Sequence, residues 1–139
     1  MSAAFEVAER IAADSVLVAE WPLCQVRLMD DRRFPWLLLL PRRAGLEEWT
    51  ELDEAELAVL AVEIKRAGEA LGAVATFDKL NVGALGNIVR QMHVHVIGRS
   101  VDDAAWPGPV WGQGTRESYP DVERADLVRR LQNHLGAAR

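Results

Sequence analysis

Residues 91–97 read Gln91-Met92-His93-Val94-His95-Val96-Ile97, with polar and apolar side chains alternating up to Val96. A period of two marks a β-strand with one face in a core and the other available for contact. Met92, Val94 and Val96 therefore point inward, while Gln91, His93 and His95 share the opposite face. At a rise of ~3.3 Å per residue, the two imidazoles stand about 7 Å apart along it. Two of the chain's three histidines are brought together in this way. A neutral imidazole can serve as nucleophile, as general acid or base, or as metal ligand. The strand thus points to chemistry without choosing among these roles, and a half-exposed strand face without function is the plain alternative.

Metal ligation asks for more than the strand supplies. Zinc sites take three or four protein ligands; the remaining histidine, His134, falls in a predicted terminal helix, and Cys24 belongs to no Cys-x-x-Cys pattern. The segment before the strand, Asn81-Val82-Gly83-Ala84-Leu85-Gly86-Asn87, is more informative. A strand bearing a side-chain amide, followed by a turn with two glycines, lets backbone N–H groups approach an anion closely while the amide fixes a neighbouring oxygen. A tight connection between strands would use the same glycines, so the turn alone leaves both readings open.

Working outward, short strand-like runs occur at residues 15–19, 24–29 and 36–40, the last enclosed by Pro35 and Pro41. Antiparallel pairing of these three neighbours follows naturally. Asp53 and Glu56 form a capping-box pattern, and Leu57, Leu60, Ile64 and Leu71 then repeat at helical spacing, which predicts a main helix over 54–71. With 79–82 and 91–97 the strands number five. Amphipathic character predicts a short helix over 3–13, and a last helix over 121–135 starts after Pro120. Residues 102–118 carry Pro107, Pro109, Trp106 and Trp111, and read as an ordered loop.

The bulk numbers are consistent with one domain over residues 1–139, the motif-bearing core covering about 15–100 and a C-terminal loop and helix about 102–139. The chain is 50% hydrophobic with a formal net charge of -5. That charge offers no long-range attraction to a polyanion, which argues against extended nucleic-acid binding and leaves a small nucleotide in a local pocket allowed. The longest apolar run, residues 34–41, falls well short of the ~20 residues that span a bilayer, and the N-terminal residues lack the pattern of a secretory signal. A lone cysteine fits a reducing compartment; the expected location is the cytoplasm, and Cys24 reads as a buried small apolar residue.

Together, the His-x-His strand, the strand ending in Pro41-Arg42-Arg43, the long helix after it, Asn81 twelve residues before His93, and the Gly86-Asn87 turn resemble the histidine triad (HIT) family of nucleotide hydrolases and transferases. The family signature is His-φ-His-φ-His-φ-φ, with φ apolar. The resemblance implies an α+β, HIT-like fold with a five-stranded antiparallel sheet, one main helix and terminal helices, commonly paired as a homodimer. By position, His93 matches the nucleophile that takes up the nucleotidyl group, with cleavage at the α-phosphate of a purine nucleotide substrate. His95 matches the histidine that contacts the phosphate, and Gln91 stands in place of the first histidine, where an amide can hydrogen-bond but cannot exchange a proton as imidazole does. Asn81, Gly86 and Asn87 match phosphate- and ribose-proximal positions, and Asp30, with Asp31 as rival, matches the residue holding the ribose hydroxyls. No cofactor and no resident metal are implied.

Two further departures bear on mechanism. Ile88 stands where the family often has Ser or Thr, and Trp36 stands where some members carry another histidine on the neighbouring strand. Each removes a candidate for assisting the leaving group. Arg99 shares the parity of His93 and reads as a surface arginine opening the next loop, Arg42 and Arg43 as solvated charges, and Trp106 and Trp111 as packing residues. A nucleotide-binding regulatory module with weak turnover, and a His-x-His metalloprotein, are the competing classes. Dinucleoside polyphosphates, phosphoramidates and acyl adenylates are equally open as substrates.

Overall fold

A computed structural model describes residues 4–135. Its elements follow in the order α1 (Glu9–Asp14), β1 (Ser15–Glu20), β2 (Cys24–Met29), β3 (Trp36–Pro41), α2 (Glu54–Val74), β4 (Lys79–Gly83), β5 (Val94–Arg99) and α3 (Asp121–Leu135), with a 3-10 turn at Trp49–Glu51. The five strands form one antiparallel sheet in the order β1-β2-β3-β5-β4. This is the expected α+β fold. Because β5 slots between β3 and β4, the histidine strand is supported on both sides, and β4 becomes an edge.

The run Leu37–Leu40 is apolar without alternation because both faces of β3 are covered. Leu37 and Leu39 join the larger core beneath α2 and α3, whereas Leu38 and Leu40 join a second cluster with Ile11, Phe34, Trp36 and Ile97 on the other face. Met92, Val94 and Val96 lie in the larger core, as the alternation requires. The main helix opens on the expected capping box: Asp53 accepts from the Glu56 N–H at 2.8 Å and Glu56 accepts from the Asp53 N–H at 3.1 Å. It runs to Val74, past the predicted end at Leu71, and the Ala75 N–H closes it on the Leu71 carbonyl. On its buried side Glu63 accepts from the Leu23 and Cys24 N–H groups at 3.0 and 2.8 Å, tying the β1–β2 turn to α2. Burial and Glu63 push the Cys24 thiol well above its ordinary range, so this cysteine is an inert core residue.

Three differences from the sequence expectations have physical causes. The N-terminal helix covers Glu9–Asp14 instead of 3–13; residue 3 lies outside the described residues. Residues 4–8 are not helical, because the Gln91 carboxamide captures them as chain, accepting from the Ala8 N–H at 2.8 Å and donating to the Glu6 carbonyl at 2.7 Å. Secondly, β5 begins at Val94, not Gln91. Its last pairing with β3 is Leu39↔Val94; further along β3 comes Pro41, which has no N–H to extend the ladder, and the Met92 N–H turns instead to the Leu46 carbonyl. Thirdly, Arg99 is 1% exposed where a surface residue was expected. It pairs with Asp103 at 2.7 Å and donates to Asn81 Oδ1 at 2.9 Å and to the Gly108 carbonyl at 2.8 Å, with the Phe34 and Trp106 rings beside it. A buried cation needs such a set of acceptors, and here they order the loop after β5. The Arg99 guanidinium in turn holds the Asp103 carboxyl far below the usual carboxylate range. No helix among the described residues is long and apolar enough to cross a membrane.

Candidate active site

His93 and His95 sit side by side on the face of the sheet away from α2, their ring centroids 4.9 Å apart. Both are buried. They open onto a cavity of about 290 Å³. Its floor is the sheet, through Trp36, Leu38 and Met29; one wall is α1, through Arg10, Ile11 and Asp14. The opposite wall is the turn from Leu85 to Val89, and Trp111 closes an end. Gly86 holds φ at +72°, a conformation L side chains rarely adopt, which brings this turn back over the histidines. Gly83 pairs with His95 across β4 and β5, and the Trp111 indole lies against it, Cη2 standing 3.4 Å from where a Cβ would be. Trp111 meets the His95 ring edge-on at 5.1 Å.

The hydrogen bonds of the two imidazoles differ in sense. His93 Nδ1 lies 2.6 Å from the Gln91 carbonyl oxygen. A carbonyl only accepts, so Nδ1 carries a proton, and in the neutral ring Nε2 keeps its lone pair. His95 Nδ1 lies 3.0 Å from Trp36 Nε1. An indole N–H only donates, so Nδ1 accepts and the proton of neutral His95 is on Nε2. Desolvation, and after it the neighbouring His93, push the His95 imidazole down to about 3, which keeps it neutral at ordinary pH. The pair thus offers one ring nitrogen with a free electron pair and one N–H donor.

Of the residues singled out from sequence, His93, His95, Gly86 and Asn87 line one cavity. Gln91, Asn81 and Asp30 do not, and for each the structure gives the reason. The Gln91 carboxamide is engaged by the backbone of Glu6 and Ala8, although the backbone carbonyl of Gln91 orients His93. Asn81 lies opposite Ile97, two residues along the ladder from the Gly83–His95 pair, and its Oδ1 accepts from Arg99. Asp30 follows Met29 by one residue and so faces the other way: it accepts from the Tyr119 N–H at 2.9 Å and from Arg124 at 3.0 Å. Asp31, the rival, is held by Arg33 at 2.8 Å. The carboxylate that does line the cavity is Asp14, at the end of α1, with Arg10 and Arg116 at 3.9 and 3.7 Å. Nothing in the spacing of α1 marked Asp14; its place depends on α1 packing, through Ile11, over the sheet face that carries Trp36 and Leu38. Trp36 supplies no acid, and its N–H reaches His95 instead. No group of three or more His, Cys, Asp or Glu side chains is placed to hold a metal ion among the described residues.

A family model for the HIT domain matches residues 10–102. The chain belongs to the histidine triad family. Solved HIT proteins agree over nearly the whole chain: one from Sinorhizobium meliloti is 44% identical, covering 94% of this chain and 96% of its own, with a TM-score of 0.90. A histidine triad protein from Bradyrhizobium japonicum is 39% identical over 95% of this chain and 98% of its own, with a TM-score of 0.91. Another from Marinobacter aquaeolei is 40% identical over 96% and 97%, also with a TM-score of 0.91. No curated protein matches the sequence significantly. Membership in the HIT family associates the chain with nucleotide binding and with hydrolase or transferase chemistry.

Proposed function

We propose that this HIT protein is a nucleotidyl hydrolase or transferase that cleaves at the α-phosphate of a purine nucleotide substrate through a nucleotidyl-histidine intermediate on His93. The observation that carries this reading is the opposed hydrogen bonding of the two imidazoles within one cavity. His93 Nε2 uses its lone pair to form a bond to phosphorus while the bond to the leaving group breaks, its electron pair departing with that group. His95 Nε2–H donates to a phosphate oxygen as charge gathers there, and a preorganised donor in a water-poor site is worth far more than one in bulk solvent. Water then attacks the phosphorus, the N–P bond breaks, and a nucleoside monophosphate leaves with His93 restored. An acceptor other than water makes the same second step a transfer. Positioning and electrostatics carry most phosphoryl-transfer catalysis, and both are what the two ring anchors provide.

The remaining cavity walls suit a nucleoside. Ile11, Met29, Leu38 and Val89 offer apolar surface for a base, and Asp14 replaces Asp30 as the acceptor for ribose hydroxyls, since carboxylates recognise such diols by accepting from both. The Gly86-Asn87 turn borders the phosphate, and neither Gln91 nor Ile88 supplies a proton to the leaving group, which favours substrates whose leaving group departs readily. A second copy of the chain is the proposed partner, added along the free edge of β4, where Val82 is exposed.

The test is incubation with adenosine phosphoramidates, diadenosine polyphosphates and acyl adenylates, with product analysis for wild type and His93→Ala. The expected result is AMP release from at least one class that disappears with His93. Folded wild type that binds AMP but turns over none of them would support the regulatory binding module instead.

A further inference from the structure

Trp36 and His95 are not directly opposite in the sheet. Leu38 pairs with His95, and Trp36 pairs with Ile97, so the indole reaches the imidazole along a diagonal. Diagonal neighbours on an antiparallel pair are about 7–8 Å apart at the backbone and meet only through aromatic or long side chains. Trp36 spans that gap and delivers its N–H to His95 Nδ1 at 3.0 Å, both rings being buried at 6% exposure. The two rings are tilted by 52° with centroids 5.6 Å apart, a contact at the ring edge instead of a stack.

Few side chains could hold the imidazole in one sense. A histidine here could either donate or accept and would itself titrate; a glutamine could turn its carboxamide over; a lysine would place a charge beside a buried ring. The indole N–H donates and does nothing else. The groups facing His95 from the surrounding elements give no competing instruction: His93 on its own chain at 4.9 Å, Trp111 from the loop after β5 at 5.1 Å, Gly83 across on β4, and Leu38 on β3. Asp14, the carboxylate on the cavity wall, is paired with Arg10 and Arg116.

We propose that Trp36 is a positioning residue that fixes His95 in its Nε2–H tautomer, and so makes His95 a permanent donor toward the substrate phosphate. This rests on the nucleotidyl-transfer reading for the identity of the acceptor, and on geometry alone for the tautomer. The substitution of tryptophan for a histidine at this strand position therefore exchanges a titratable neighbour for a constant one. The desolvation of His95 works in the same direction, since it disfavours the imidazolium that would blur the distinction.

Trp36→Phe removes the N–H and keeps an aromatic ring. Nδ1 of His95 then faces no donor, the proton is free to move to it, and Nε2 turns a lone pair toward an anionic oxygen. The expected result is a fall in kcat of about 100-fold, in the range for loss of one oxyanion donor, with KM changed less than about threefold. Trp36→His, which can donate but also titrates, restores part of kcat and adds a pH-dependent limb absent from the wild type. The direct readout is long-range proton–nitrogen NMR of imidazole-labelled protein. Wild type is expected to show His95 protonated at Nε2 and His93 protonated at Nδ1, and Trp36→Phe is expected to mix or invert the His95 pattern alone. Wild-type His95 protonated at Nδ1, or a Trp36→Phe protein with unchanged tautomer and unchanged kcat, would overturn the proposal. Wild type with the expected tautomers and no turnover would refute the nucleotidyl-transfer reading and leave the role of Trp36 in fixing the tautomer supported.

Discussion

His93 and His95 are two residues apart on one face of the sheet, yet the protein holds their rings in opposite senses. His93 is anchored by a backbone carbonyl just ahead of β5, where the pairing with β3 has ended at Leu39 and the local chain supplies the acceptor. His95 is anchored inside the sheet by a side chain from the neighbouring strand. A local anchor leaves Nε2 basic; a tertiary anchor leaves Nε2 protonated. The difference teaches that identical residues acquire distinct chemistry from what touches the far side of the ring, a second contact that orients the first.

The sharpest way to break this comparison is to make the same substitution at both positions. A glutamine amide nitrogen can donate from roughly where Nε2 stands but has no lone pair for phosphorus. His93→Gln is therefore expected to lower kcat by three orders of magnitude or more, as loss of a nucleophile does. His95→Gln is expected to lose about tenfold and to exceed His95→Ala, which lacks the donor altogether and should lose roughly 100-fold. Parallel single-turnover assays with one nucleotide substrate check both; equal losses from the two glutamine variants would remove the distinction.

A second contrast lies in stability. Because His95 titrates at about 3 in the folded protein and near 6.5 in an unfolded chain, the unfolded state takes up the proton first. The stability due to neutral His95 is thus complete above the unfolded value and declines as pH falls toward the folded one. Between pH 7 and pH 5 the loss from this group is roughly 2 kcal/mol. Urea unfolding at both values is expected to show that decrement in wild type, and to show it reduced by about that amount in His95→Gln. An identical pH dependence in the two proteins would mean the imidazole is not desolvated as described.

A smaller effect tests the cavity wall. Asp14→Asn is expected to reduce the preference for ribonucleotide over 2′-deoxyribonucleotide substrates by about tenfold, one hydrogen-bonded group's worth, with kcat on the deoxy substrate little changed. Unchanged selectivity in Asp14→Asn would return the ribose contact to another residue.

The sequence made local features legible and left long-range ones hidden. The limits of β2 and α3 and the capping box at Asp53 follow from short patterns, and the even-numbered residues of 92–96 enter the core as alternation demands. The histidine pair was equally visible because residues two apart in extended chain share a face, which holds although His93 stands just ahead of β5. What could not be read is set by partners beyond each residue's own strand or turn. Gln91 is taken by Glu6 and Ala8, Arg99 by Asp103, Asn81 and Gly108, and Asp30 by Tyr119 and Arg124. Parity placed Gln91 and Arg99 on the face of His93; the groups that hold them, and those that hold Asp30, lie outside that pattern. Asp14 and Trp36 are the converse: their importance comes from cross-element contacts that neither periodicity nor spacing encodes.

The most direct test of the central claim is intact-mass analysis of acid-labile adducts after rapid quenching of wild type with a substrate that turns over. The expected result is a transient species heavier by one nucleotidyl group, mapped to His93 and absent from His93→Gln. Turnover by wild type with no adduct at any quench time, or an adduct that persists in His93→Gln, would contradict it.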